Sequence, residues 1–320
     1  MARRMRRSHP DSLRAMGRYI VTGGAGFIGS HVASALLDRG DDVIVVDDLS
    51  TGTRANAPAD ASLIVADIAD ADALAEATAT IERADGIIHC AAQASVIASI
   101  DDPERDRAVN ADGTRHVLAL CRRLRAPLVL TSTAAVYGTT APLPTREDSP
   151  IAPDSPYGAS KAEAELAVRD AAAADGLPHA ICRLANVYGP RQRGDGEAGV
   201  VAVIAERLDR GASITLYGHG EPTRDFVHVA DVARALLAAL GTGATCNVAT
   251  GIATPVRVVY DLATSVVPDR CGAPVLADLR EGEIMHSRLD PALAAEMLGW
   301  TAAIPVAEGV PATIAQLTTT

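Results

Sequence analysis

Thr22-Gly23-Gly24-Ala25-Gly26-Phe27-Ile28-Gly29 lies between a short apolar run, Tyr19-Ile20-Val21, and an amphipathic one from Phe27 to Asp38 that Gly40 closes. An apolar run, a glycine turn and a segment of helical period read as strand, tight turn and helix. Gly23 permits the turn, Gly26 lets backbone approach a pyrophosphate, and Gly29 lets the helix pack closely on a sheet. The helix start then offers free N–H groups and a positive dipole end to phosphate. Such a turn gains weight from an acidic residue about 20 positions on. Asp47 supplies it, at the end of the next apolar run, Asp42 to Asp47. Its carboxylate can accept hydrogen bonds from adenosine ribose hydroxyls and would repel a 2′-phosphate. No arginine follows before Arg54, so NAD rather than NADP is the expected cofactor.

Further along, Ser62 to Ala66, Gly86 to Cys90 and Leu128 to Ser132 read as buried strands with helical segments between them. Strands alternating with helices predict an α/β fold, a doubly wound parallel sheet of the Rossmann kind, with ligands bound beyond the strand C-termini. Asp67, just after the third strand, can accept from an adenine amino group. Beyond Gly189-Pro190 comes a polar, glycine-rich stretch, Arg191 to Glu197, and then less regular segments: Val200 to Arg210, Ile214 to Tyr217, Val229 to Leu240, Val256 to Val267 and Pro291 to Leu298. These predict a smaller mixed α/β lobe. The division expected is a basic leader over 1–17, a cofactor domain over 18–189 and a substrate lobe over 190–320, the chain crossing back around 225–250.

Composition narrows the partners. The 320 residues are 48% hydrophobic, enough for a sizeable core, and the net charge of −11 argues against nucleic acid or an anionic membrane surface. No run is long enough to span a membrane. Cys90, Cys121, Cys182, Cys246 and Cys271 are scattered with no CxxC pair, which suits reduced thiols in a cytoplasmic protein; no metal site is expected. Arg3, Arg4, Arg6, Arg7 and Arg14 cluster before Met16 without the apolar core of a secretory signal. That leader is read as disordered and is assigned no function.

The chemistry centres on Tyr157-Gly158-Ala159-Ser160-Lys161. In a helix, positions i and i+4 share a face, and a lysine there can stabilise a tyrosinate whose ordinary pKa is about 10. Tyr157 is thereby a candidate general base.

Together with TGGAGFIGSH, VVDDLSTG, ADI, HCAAQASV, VNADGT, TSTAAVYG, NVYGPRQ, LYGHGEPTRDFVHVADV and REGE, all in order, this segment resembles the extended short-chain dehydrogenase/reductase family, and within it the NAD-dependent nucleotide-sugar 4-epimerases. The likeness runs from about Tyr19 to Trp300. It implies a third catalytic residue, Thr133, aligned on Val136-Tyr137-Gly138. It places NAD against Gly23, Gly26, Phe27, Ile28, Asp47, Asp48, Leu49, Ser50, Thr51, Gly52, Asp67, Ile68, Ala91, Ala92, Gln93 and Asn110, together with Tyr157 and Lys161. A UDP-sugar would meet Ser95, Thr133, Tyr157, Asn186, Val200, Thr215, Tyr217, Arg224, Arg280 and Glu283. The arginines suit a diphosphate, Thr215 and Tyr217 a uracil, and Glu283 a nucleoside ribose. Arg193 resembles an arginine that uronic-acid epimerases set against the substrate carboxylate.

The resemblance also implies a reaction. Tyr157 takes the proton from the sugar 4-hydroxyl as hydride leaves C4, a 4-keto intermediate turns over, and both return to its other face. Relatives that eliminate water carry acids directly after the threonine, where this chain has Ala134 and Ala135. UDP-glucose/UDP-galactose is the expected pair, followed by UDP-glucuronate/UDP-galacturonate. Ser287, aligned near the hexose C2 substituent, is small enough to admit N-acetylated sugars. The helices around Ala108 to Leu124 and Tyr157 to Ala174 are those the family uses to form homodimers.

Overall fold

The structure, a computed structural model, describes residues 16–194, 199–270, 273–280 and 283–318; most of the arginine-rich leader and Cys271 lie outside these residues. The first strand, β1 (Arg18–Thr22), enters the glycine turn and emerges as α1 (Phe27–Asp38), followed by β2 (Asp42–Asp47) and β3 (Ser62–Val65). Next come α2 (Ala71–Ala77), β4 (Gly86–His89), α3 (Val96–Asp101) and α4 (Pro103–Arg107). A π-helical turn, Ala108–Asp112, leads into α5 (Gly113–Leu124), then β5 (Leu128–Thr133), a 3₁₀ turn at Ala134–Tyr137, α6 (Pro156–Asp175) and β6 (Ala180–Leu184).

The remaining chain adds β7 (Asn186–Tyr188), α7 (Val200–Asp209), β8 (Thr215–Tyr217), β9 (Thr223–His228) and α8 (Val229–Ala239). It closes with β10 (Thr245–Val248), β11 (Ala253–Pro255), α9 (Val256–Thr264), β12 (Val275–Ala277), α10 (Ala292–Leu298) and α11 (Val306–Leu317).

Seven parallel strands form one sheet in the order β10-β6-β5-β4-β1-β2-β3. Successive strand residues point to opposite faces, and the core divides accordingly. Val21, Val43, Val45, Ile88 and Val129 pack with Val32 and Leu36 of α1 and Leu236 of α8. Their neighbours Ile20, Ile44, Val46, Ile87 and Leu130 pack with Val117 of α5 and Val168 of α6 on the other side. Each such side chain contributes on the order of 1.5–3 kcal/mol on burial.

One strand differs from expectation. β3 is only partly covered, Val65 being 49% exposed, because it is the sheet's edge and has one paired neighbour instead of two.

The chain order reverses between β1 and β4, the switch point beyond whose strand ends a sheet of this kind binds its ligands. β7, β9 and β11 form a three-stranded sheet, and β8 pairs with β12. Over these lies a separate apolar cluster of Ile204, Leu208, Phe226, Val259, Val310 and Ile314. β10 returns to pair with β6 in the large sheet, and α8 packs on α1.

Candidate active site

At the switch point Gly23 adopts φ +67°, and a Cβ there would lie 2.6 Å from the backbone nitrogen of Ala91 on the loop after β4. Only glycine lets these two loops meet. A Cβ on Gly29 would collide with the Gly23 carbonyl, so α1 can sit this close to the turn only without one. The first turn of α1 has no side-chain cap and no acidic residue. Its N–H groups are therefore left for an anion.

Asp47 is buried and braces this turn, Oδ2 accepting from Ala25 N–H at 2.9 Å and Oδ1 from Leu49 N–H at 2.9 Å. Leu49 takes φ +62° in the following bend. Asp48 accepts from the Ser50 backbone and hydroxyl at 3.0 and 2.7 Å, shaping the loop that Thr51 and Gly52 complete. Asp67 accepts from Ala69 N–H at 2.8 Å and pairs with Arg105 at 2.9 Å. Ile68 is buried, its carbonyl 2.8 Å from His116 Nδ1.

Two residues expected to touch the cofactor also have side-chain bonds within the protein. Asn110 Nδ2 donates to the Gln93 carbonyl, Asp106 Oδ1 and Ser160 Oγ, while its Oδ1 accepts from Gln93 N–H. Gln93 Nε2 donates to the Ser95 carbonyl and to Asp106 Oδ1, and Gln93 Oε1 accepts from Ser95 N–H. Both side chains thereby hold the loop that carries Ala91 and Ala92. Ser95 caps α3.

The catalytic helix is positioned from three sides. Ser155 caps α6 by accepting from Gly158 N–H, and Pro156 occupies its first turn, where a missing N–H costs nothing. Tyr157 N–H donates to Ser99 Oγ of α3 at 3.1 Å. A Cβ on Gly158 would come within 2.7 Å of the Ala135 carbonyl, so glycine allows α6 to abut the turn after β5.

Tyr157 is thereby brought beside Thr133, near enough for the hydroxyl to favour the phenolate. Thr133 Oγ1 accepts from Ala135 N–H at 3.2 Å, which leaves its own proton available to a ligand oxygen.

Lys161, one turn along, is 2% exposed. Burial draws its pKa down to about 8 against the pull of Cys90, Glu165 and Asp106. No hydrogen bond to its Nζ occurs among the described residues. A buried ammonium without acceptors is costly, and a ligand rich in hydroxyl oxygens would satisfy it. This orphan, with the uncapped α1 and the glycine contacts, fits a dinucleotide.

One expectation fails here. Burial pushes the Tyr157 phenol up to about 12, and Asp106 adds to the rise while Thr133 opposes it. Desolvation outweighs the helical Tyr-Lys spacing.

Below the site, His89 is buried between Thr22 Oγ1 at 2.6 Å and Thr114 Oγ1 at 3.1 Å, and burial lowers its pKa to about 3. Thr114 donates to the Asn110 carbonyl, so it must accept from Nε2–H and His89 is neutral. A second buried network ties the sheet to α6. Glu165 receives Arg183 at 2.9 and 2.7 Å, Arg169 at 2.8 Å and Ser132 at 2.6 Å, and Arg183 also donates to Tyr137 Oη at 2.9 Å.

The lobe residues form a second group. Half-buried Arg224 donates to the Thr223 carbonyl at 2.9 Å and stands 3.9 Å from Glu283 Oε1. Glu283 Oε2 is buried with no hydrogen-bond partner, as an acceptor awaiting a hydroxyl would be. The Arg280 guanidinium lies over the Tyr217 ring, 3.6 Å from its centroid. Thr215 and Asn186 are exposed and Val200 half-buried. Arg193 turns the other way, with Nη1 3.5 Å from the Thr51 carbonyl of the cofactor loop. Ser287 N–H donates to the Thr223 carbonyl.

Sequence reasoning missed Ser99, Asp106, Ser160, Glu165 and Arg183. Asp106 and Asn110 share a helical face, a signal that was available. Ser99 bonds a backbone group across 58 positions and leaves none.

A family model described as the NAD dependent epimerase/dehydratase family matches residues 19–249. A UDP-glucose 4-epimerase of Mycolicibacterium smegmatis is 39% identical over 312 residues, covering 93% of this chain and 97% of that one. Among solved structures, a UDP-glucose 4-epimerase of Thermotoga maritima with UDP-glucose is 37% identical at TM-score 0.90, covering 94% and 99%. A UDP-glucose 4-epimerase of Thermus thermophilus in complex with NAD is also 37% identical, at TM-score 0.86, covering 94% and 98%.

Proposed function

The chain belongs to the NAD dependent epimerase/dehydratase family, and from that premise we propose that it is an NAD-dependent UDP-sugar 4-epimerase acting on UDP-glucose and UDP-galactose. The observation that carries the chemistry is Lys161, buried and without a hydrogen-bond partner among the described residues, one helical turn from Tyr157, with Thr133 near enough to the phenol to oppose the rise in its pKa. Relatives named for this reaction support the substrate.

NAD would be held by the α1 N-terminus, Asp47 and Lys161, and when bound it supplies the hydride acceptor for C4 and a positive charge. Tyr157 takes the 4-hydroxyl proton and later returns it. Thr133 donates a hydrogen bond to the oxygen that carries the changing charge. Ala134 and Ala135 offer no acid for elimination, so proton transfer at the 4-oxygen is the only acid–base step. The 4-keto sugar must rotate without leaving. Arg224 and Arg280 hold the diphosphate while Glu283 accepts from the nucleoside ribose, gripping the part that stays still.

Purified protein incubated with UDP-glucose and NAD should yield UDP-galactose, followed by proton NMR at C1 and C4 of the sugar. No turnover of UDP-glucose would overturn the substrate, and turnover of UDP-glucuronate or UDP-N-acetylglucosamine instead would reassign it. We further infer a cytoplasmic homodimer built on α5 and α6, where Leu166 is 57% exposed; light scattering at monomer mass would refute it. Among the described residues no helix is long and apolar enough to cross a membrane.

A further inference from the structure

Asp106 is fully buried on α4, and its carboxylate is only half satisfied. Oδ1 accepts from Gln93 Nε2 at 2.9 Å and Asn110 Nδ2 at 3.1 Å, while Oδ2 has no partner. Among the described residues no cation touches it, yet α4 packs on the catalytic helix α6, and Asn110 Nδ2 bridges Asp106 Oδ1 and Ser160 Oγ of that helix. The charged and titratable groups that face this pair come from three elements. The end of β4 and the loop after it bring His89, held neutral by its threonines, and Cys90, whose thiol burial pushes up to about 12. From α6 comes Glu165, already matched by Arg183 and Arg169. From α4 comes Asp106. It is thus the one carboxylate acting on Lys161 and Tyr157 that no arginine neutralises among the described residues.

We propose that Asp106 is a positioning residue that sets the ionisation of the catalytic pair, its buried negative charge holding Lys161 protonated and Tyr157 in the phenol form until ligands fill the site. This rests on the reading of Tyr157 as the base. A negative charge favours the protonated state of both neighbours. It therefore opposes the fall that burial causes at Lys161 and adds to the rise that burial causes at Tyr157. Burial raises the Asp106 pKa, and Ser160, Asn110, Lys161 and Gln93 oppose that rise and favour the carboxylate, so the loop beneath the cofactor also tunes the base.

The test is the ultraviolet phenolate titration of the NAD-bound protein, with Tyr157→Phe subtracted to isolate Tyr157. Because it needs no sugar, it can fail while the epimerase reading stands, and the reverse. Asp106→Asn keeps an oxygen for Gln93 and Asn110 but removes the charge, so the Tyr157 midpoint should fall by about one pH unit. Asp106→Ser, smaller and neutral, should shift it the same way, whereas Asp106→Glu should leave it near wild type. With UDP-glucose, both limbs of the kcat–pH profile should move acidward in the neutral variants. An unchanged midpoint in a folded neutral variant, or an equal shift in Asp106→Glu, would overturn the proposal. So would loss of NAD binding in both neutral variants, which would make Asp106 a brace and nothing more.

Discussion

The catalytic floor on the parallel sheet and the gripping face of the lobe are built on opposite principles. On the floor most polar side chains are already bonded within the protein: Thr133 to Ala135, Asn110 and Gln93 to each other and to Asp106, Glu165 to Arg183. On the lobe, Glu283 Oε2 waits unpaired, Arg224 holds only a backbone carbonyl and a distant carboxylate, and Arg280 rests on an aromatic face. The difference teaches where each kind of binding energy is placed. A proton-transfer site loses rate if its groups must reorganise, so their geometry is set before substrate arrives. A grip gains affinity from groups whose partners come with the ligand.

Removing the base should separate the two regions most clearly. Tyr157→Phe is expected to lower kcat by about 10³-fold, near the middle of the range for acid–base groups, with NAD retained after desalting. Unchanged turnover would move the base elsewhere.

The floor's dependence on prior bonding can be broken at Glu165. Glu165→Gln leaves the fully buried Arg183 without its counter-charge and should cost about 3 kcal/mol in urea unfolding; a loss below about 1 kcal/mol would mean that the network is not a structural necessity.

Lys161 gives the comparison a pH dependence. Its folded pKa, about 8, lies below the ordinary 10.5, so between those values the unfolded chain binds more protons and stability rises with pH. The NAD-free protein should gain stability on going from pH 8 toward 10.5 relative to Lys161→Met, by on the order of 2 kcal/mol. A flat difference would show the ammonium to be solvated.

On the lobe, Arg224→Ala should raise KM about tenfold with kcat changed little, the mark of binding shared by ground and transition states. A matching fall in kcat would place Arg224 on the floor's side of the divide. Smallest is Arg280→Ala, where an exposed cation on a ring is worth about 0.5–1 kcal/mol; a two- to fivefold rise in KM is expected from steady-state kinetics.

Much of this was legible beforehand, and unevenly. α1 and β2 fall on the residues that periodicity assigned, Phe27–Asp38 and Asp42–Asp47, because a period of two or 3.6 is a local property. The glycine turn was equally plain, since Gly23 and Gly29 answer to contacts within one strand–turn–helix unit and the loop beside it. The covering of β3 was misjudged because an edge strand and an inner one carry the same residues. The motif around Asn110 and Gln93 could be recognised, whereas the bonds their amides make within the protein are settled only by what surrounds them.

By itself, then, the sequence determined a doubly wound sheet, a nicotinamide dinucleotide as cofactor and a Tyr157–Lys161 pair on one helix face, since each follows from spacing within a few turns of chain. The tertiary structure decided that Tyr157 is a phenol raised to about 12, that Ser99 holds its backbone and that Asp106 faces the pair uncompensated. The physical reason is that burial and Coulomb forces depend on distances between elements far apart in the chain. No local pattern records them.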